Sequence, residues 1–202
     1  MNLPNKLTVG RIGLTILMVF FLTMPDFPFG KTLGLLTFSL AGITDIADGV
    51  IARRRHCMSA FGKLMDPLAD KILVCAAFVC FVAIDHLVPA WIVVIIISRE
   101  FMITGLRLLA ASNGEVLSAG DWGKQKMIWQ TVLIVTILVG LSLYRELLPL
   151  MLRDHQMSIV AQWYTRYFRP FARYFSMLVA TLTLVSGLIY LQRHRALFQN
   201  DI

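Results

Sequence analysis

The chain has 202 residues, 57% of them hydrophobic, with a mean hydropathy of +0.71 and a formal net charge of +7. That is too apolar for an ordinary soluble domain, and in such a chain a basic excess marks loops beside anionic lipid headgroups rather than a nucleic-acid surface. Its three cysteines, Cys57, Cys75 and Cys80, are odd in number and lack metal-site spacing, which argues against a disulfide or zinc scaffold.

Asn2–Lys6 leads into an apolar run from about Leu7 to Met24. No small-x-small cleavage site precedes Pro25, so the run is expected to stay as a first helix rather than be removed as a signal peptide. Asn5, Thr8 and Arg11 recur at near-helical spacing at its start. Pro25, Pro28 and Gly30 mark a turn.

A second helix is predicted from about Lys31 to Arg53 and a third from about Lys63 to Ile84. Between them lie Arg53, Arg54, Arg55 and His56, a strong positive-inside marker. Asp45 and Asp48, at i, i+3, share one face of the second helix, and Asp66 and Asp70, at i, i+4, share one face of the third. If the two helices form an antiparallel hairpin, the four carboxylates converge at one level. Bare, each would cost roughly 3 kcal/mol at membrane depth, so a hard divalent cation, Mg²⁺ or Mn²⁺, is the expected guest. With one or two ions and Arg53 alongside, the substrate group that fits is a phosphate or diphosphate. Gly49 and Ala52 are small enough to let a substrate or a neighbouring helix approach the backbone. Pro67 falls in the first turns of the third helix, where it is tolerated or bends the chain.

After a short turn at Asp85–Pro89, a fourth helix is predicted from about Ala90 to Ala111. It carries Ser98, Arg99 and Glu100 in its middle and Arg107 further on. Ionisable residues at that depth should face the bundle interior; Glu100 and Arg107 share a face, whereas Arg99 points elsewhere. The fifth helix covers about Trp122 to Tyr144, with Asp121 as a candidate cap and Lys124 and Lys126 near its start. Leu147 to Arg173 is amphipathic and aromatic, and reads as an interfacial segment before a sixth helix from about Phe171 to Leu191.

The run D-x2-D-G-x2-A-R-x8-G-x3-D-x3-D is complete here in Asp45, Asp48, Gly49, Ala52, Arg53, Gly62, Asp66 and Asp70. Eight fixed positions make it a specific signal. It resembles the signature of the CDP-alcohol phosphatidyltransferases, membrane enzymes of phospholipid synthesis. Ser98-Arg99-Glu100, Leu106-Arg107 and Gly123-Lys124-Gln125-Lys126 resemble the phosphatidylglycerophosphate synthase branch, which often shows a threonine where this chain has Met127.

The resemblance implies two metal ions, one on Asp45, Asp48 and Asp66 and the other on Asp45, Asp66 and Asp70, with Asp70 as the candidate base. It also implies that CDP-diacylglycerol meets Asn5, Thr8, Arg11, Gly49, Arg53 and Ser59, and that Arg107, Lys124 and Lys126 hold the phosphate of glycerol 3-phosphate. A homodimer is implied as well.

The expected fold is an all-α integral membrane protein: one domain, residues 1–202, forming a bundle of about six transmembrane helices with a cytoplasm-facing metal site in the inner membrane. An even helix count brings the 53–63 loop, the 107–126 loop and the C-terminal arginines to one side, although Arg153, Arg166, Arg169 and Arg173 fall on the other. Alternatives left open are the same chemistry with inositol phosphate, serine or phosphatidylglycerol as acceptor, and, in another class, a divalent-cation transporter.

Overall fold

The computed structural model describes residues 3–25, 27–55, 60–112 and 121–193; within these, the side chains of residues 3–7, 46–55, 60–67, 70, 112 and 121–124 lie outside the description. The described chain is helical: α1 (Leu3–Thr23), α2 (Gly30–Arg55), α3 (Ala60–Ala83), α4 (Ala90–Ser112), α5 (Asp121–Ser142), a π-helical turn at Leu143–Leu147, α6 (Leu148–Met151), α7 (Asp154–Trp163), a second π-helical turn at Tyr164–Phe168, and α8 (Arg169–Arg193).

Helix α1 lies along both α2 and α3, and among the described residues it meets each of them more extensively than they meet one another. Helix α1 therefore packs on both of the helices that bear the aspartates. Small residues permit the closeness: a Cβ on Gly34 would fall 2.5 Å from Cδ2 of Leu22. Helices α4 and α5 both pack on α8, and α5 also touches α2 and α3. Their shared core contains Phe78, Phe81, Ile92, Ile96, Leu133, Ile137 and Leu141, all fully buried. Large apolar side chains also cover the outside, among them Ile16, Leu40, Ile43, Val94, Leu150 and Leu188. An outer surface of that kind suits contact with lipid. Gln125–Met151 and Asp154–Arg193 are each long and apolar enough to cross a membrane.

The predicted interfacial segment from Leu147 to Arg173 is not a separate element. Its first residues complete the α5 rod, the chain breaks at Leu152 (φ −107°, ψ 146°), and everything from Asp154 onward is continuous with α8. Prolines account for the irregularity. Each π-turn ends two residues before one, Pro149 and Pro170, and each widens the helix so that Leu148 N–H reaches the Leu143 carbonyl and Arg169 N–H the Tyr164 carbonyl. A proline ring collides with the carbonyl four residues back, and a wider turn relieves that collision without ending the helix.

One end of the bundle is fastened by polar contacts. Asp85, in the α3–α4 turn at φ 52°, takes a hydrogen bond from Arg145 at 2.5 Å and one from the Tyr164 hydroxyl at 3.1 Å, while Arg169 donates to its backbone carbonyl at 2.6 Å. Tyr144 stacks on Tyr164 with ring centroids 3.9 Å apart. The two π-turns thus present both tyrosines and Arg145 to a single turn.

Candidate active site

Two groups of charged side chains stand out away from that end. The first joins α1 to α2. Arg11 is 2% exposed and places Nη1 2.7 Å from a carboxylate oxygen of Asp45, whose side chain is 43% exposed. Thr8, one turn earlier on α1, is also buried. The N-x2-T-x2-R spacing therefore turns at least Thr8 and Arg11 inward, and it brings a cation onto the first of the four aspartates. An arginine whose own side chain is buried requires such a partner, since an uncompensated charge there is costly.

The second group is centred on Glu100, 2% exposed in the middle of α4. Its carboxylate meets Lys126 of α5, has Lys71 of α3 at 3.4 Å and Arg99 at 3.6 Å, and receives the Gln130 amide at 3.4 Å. Gln130 also reaches the Thr183 hydroxyl of α8, at 3.3 Å. Four helices are thereby tied to one carboxylate. Arg99 itself runs towards α8, where it donates to Ser186 at 3.1 Å and lies against Gly187. A Cβ at residue 187 would come within 3.0 Å of the Arg99 side chain, so the glycine makes room for it. Consecutive residues on α4 diverge as expected, with Glu100 facing α3 and α5 while Arg99 faces α8.

The family's sequence profile, described as CDP-alcohol phosphatidyltransferase, matches residues 1–185. The chain belongs to the CDP-alcohol phosphatidyltransferase family. It is 40% identical over 164 residues to a protein of Bacillus subtilis (strain 168) named CDP-diacylglycerol–glycerol-3-phosphate 3-phosphatidyltransferase, an alignment covering 76% of this chain and 84% of that one. A Haemophilus influenzae protein of the same name is 35% identical over 158 residues, covering 75% and 83%. Another from Rickettsia bellii is 34% identical over 144 residues, covering 69% and 76%.

Among the residues expected to form the site of this phosphatidyltransferase, Thr8, Arg11, Asp45, Arg107 and Lys126 have described side chains. Thr8, Arg11 and Asp45 come together at the α1–α2 contact; Lys126 is buried on Glu100; Arg107 is half-buried on α4. Asn5, Asp48, Gly49, Arg53, Asp66, Asp70 and Lys124 lie on α1, α2, α3 and α5, but their side chains are outside the described set, and Ser59 lies outside the described residues altogether. No group of three or more potential metal-ligating side chains occurs among the described residues, which include only Asp45 of the four aspartates. The family's use of divalent metal fits the donor set, since the four aspartates of the motif on α2 and α3 offer hard carboxylate oxygens.

Glu100 carried a weaker signal in the sequence than its structural place warrants; Lys71 stood out only as a cation next to Asp70 that could balance charge or snorkel, and Thr183 carried nothing that singled it out. The readable cue was Lys126 and Gln130 at i, i+4, two polar side chains on one face of an otherwise apolar helix.

Proposed function

We propose that the chain transfers the phosphatidyl group of CDP-diacylglycerol to sn-glycerol 3-phosphate, giving phosphatidylglycerophosphate and CMP. The observation that carries this reading is the complete eight-position aspartate motif running from α2 into α3, in a chain whose relatives bear that activity in their names.

The acceptor hydroxyl attacks the phosphorus that bears the diacylglycerol, the bond from that phosphorus to the bridging oxygen breaks, and CMP departs with the bridging oxygen. Asp70 takes the hydroxyl proton. Asp45, Asp48, Asp66 and Asp70 would hold Mg²⁺ or Mn²⁺, two ions by resemblance, which when bound supply charge neutralisation at the diphosphate. Arg11 and Thr8, buried beside Asp45, and Asn5, Gly49, Arg53 and Ser59 line the donor side. Arg107, Lys124 and Lys126 take the acceptor's phosphate, which needs cations of its own apart from the carboxylates. A phosphate-free acceptor such as serine would have no use for them.

The same reading makes residues 1–202 one membrane domain of about six crossing helices, working as a homodimer in the inner membrane with the aspartates towards the cytoplasm. The basic residues at 53–55, 124, 126 and 193–195 favour that orientation. Of the arginines at the opposite end, Arg169 is engaged by Asp85 and so counts less as a topological signal.

The test is CMP release from CDP-diacylglycerol by the purified protein in detergent–lipid micelles with Mg²⁺ or Mn²⁺. Glycerol 3-phosphate, inositol phosphate, serine and phosphatidylglycerol are offered separately. Metal-dependent release with glycerol 3-phosphate alone is expected. Release only with another acceptor would overturn the acceptor assignment, and metal flux through proteoliposomes without any turnover would replace the enzyme reading with transport.

A further inference from the structure

Lys126 is 5% exposed, on a helix that otherwise offers Met127, Ile128 and Trp129 outward, and its ammonium sits on Glu100. A lysine has a long flexible stem and a point charge, so its location is set by whatever holds the ammonium. Here that group is a buried carboxylate fixed from several sides. Gln130, one turn beyond Lys126 on α5, donates to the same carboxylate and is itself tied to Thr183 of α8. Lys71 approaches the other carboxylate oxygen from α3, one residue after Asp70. The carboxylate thus lies between the helix that bears Asp66 and Asp70 and the helix that bears Lys124 and Lys126.

We propose that Glu100 is a positioning residue for the acceptor: by holding the Lys126 ammonium it sets where the phosphate of glycerol 3-phosphate binds relative to the aspartates of α3. This rests on the reading of Lys126 as an acceptor-phosphate group. Lys71 and Arg99 approach the same carboxylate at 3.4 and 3.6 Å, so the group that holds the Lys126 ammonium is itself held from α3 and from its own helix. A carboxylate present only to neutralise a buried lysine would need neither the second lysine nor the glutamine strut.

The experiment measures kcat and the separate KM values for glycerol 3-phosphate and CDP-diacylglycerol in full-length wild type, Glu100→Gln, Glu100→Asp, Lys126→Met and the double variant Glu100→Gln/Lys126→Met. Glu100→Gln is expected to raise the acceptor KM by about tenfold or more, the scale of one charge-assisted hydrogen bond, with the donor KM within about twofold. Lys126→Met should do the same, and the double variant should be no worse than the poorer single. Glu100→Asp keeps the charge but draws the ammonium back by one methylene, so it should fold and show an intermediate acceptor KM. It decides the matter if Glu100→Gln does not yield folded protein.

Multiplying effects in the double variant, equal rises in both KM values, or a wild-type acceptor KM in Glu100→Asp would overturn the positioning role. A wild-type acceptor KM in Lys126→Met alone would instead remove Lys126 from the acceptor site, which separates failure of the underlying reading from failure of this one.

Discussion

Glu146 closes the start of helix α2 from more than a hundred residues away: its carboxylate accepts the backbone N–H groups of Lys31 at 2.5 Å and Thr32 at 2.8 Å, and the Thr32 hydroxyl at 2.6 Å. The first turn of any helix leaves N–H groups without partners, and the positive end of its dipole favours an anion. Here the anion comes from the π-turn before Pro149 rather than from the residue preceding the helix. The Thr32 hydroxyl also meets that of Ser142, at 2.6 Å, so α2 and α5 are joined twice. Replacing Glu146 by alanine should cost about 1–3 kcal/mol of stability, the combined scale of a lost cap and a charged hydrogen bond. Glu146→Gln, which keeps an acceptor oxygen, should lose less. Thermal unfolding in micelles checks both, and CMP release by the surviving folded enzyme should stay near wild type because the contact lies away from the aspartates. An unchanged midpoint in Glu146→Ala would show that water serves the helix end equally well.

Asp85 predicts an acid dependence. Partial burial opposes its charge, but the hydrogen bond and charge of Arg145, with the Tyr164 hydroxyl, hold its carboxyl below the ordinary aspartate value of 3.8. A carboxyl depressed on folding contributes stability that is fully present above its unfolded value and lost as pH falls through the folded value. The gap in midpoint between wild type and Asp85→Asn should therefore stay constant from neutral pH down to about pH 5 and narrow below about pH 4. A gap that does not change with pH would mean that the turn is held by the Arg169 contact to its carbonyl, which the substitution leaves intact.

How legible this was in advance depended on the range of each interaction. Helices α1 to α4 followed from apolar runs and from punctuation at Pro25, Pro28, Gly30 and Pro89, all local signals. The stretch from Leu147 to Arg173 was expected as a separate element because of its aromatic, arginine-rich composition, whereas the structure joins it to the helices on either side. The π-turns that keep the rods continuous depend on how Pro149 and Pro170 are accommodated, which periodicity does not encode. In the candidate site, Asp45 was legible from its motif and Arg11 from its spacing on α1, but their mutual contact required the position of α1 over α2. Glu100 is the clearest case. A single acid in an apolar helix announces that partners exist, yet Lys71, Lys126 and Gln130 come from two other helices, and only packing brings them together.

The last prediction concerns Asp70, the candidate base one residue before Lys71. Asparagine is close in size and keeps an oxygen for a cation, but it cannot accept the acceptor's proton. Asp70→Asn should fold normally, since it removes a charge rather than burying one. It should lose turnover by about 10²- to 10⁴-fold, the usual contribution of a positioned base. A loss of that size also follows if Asp70 serves only to hold metal, so the decisive readout is titration with Mg²⁺ or Mn²⁺. If weakened metal binding is the whole defect, high metal concentration restores kcat; if the proton has nowhere to go, kcat stays low once the metal response has saturated. Wild-type-like turnover in the variant would reject the base role outright.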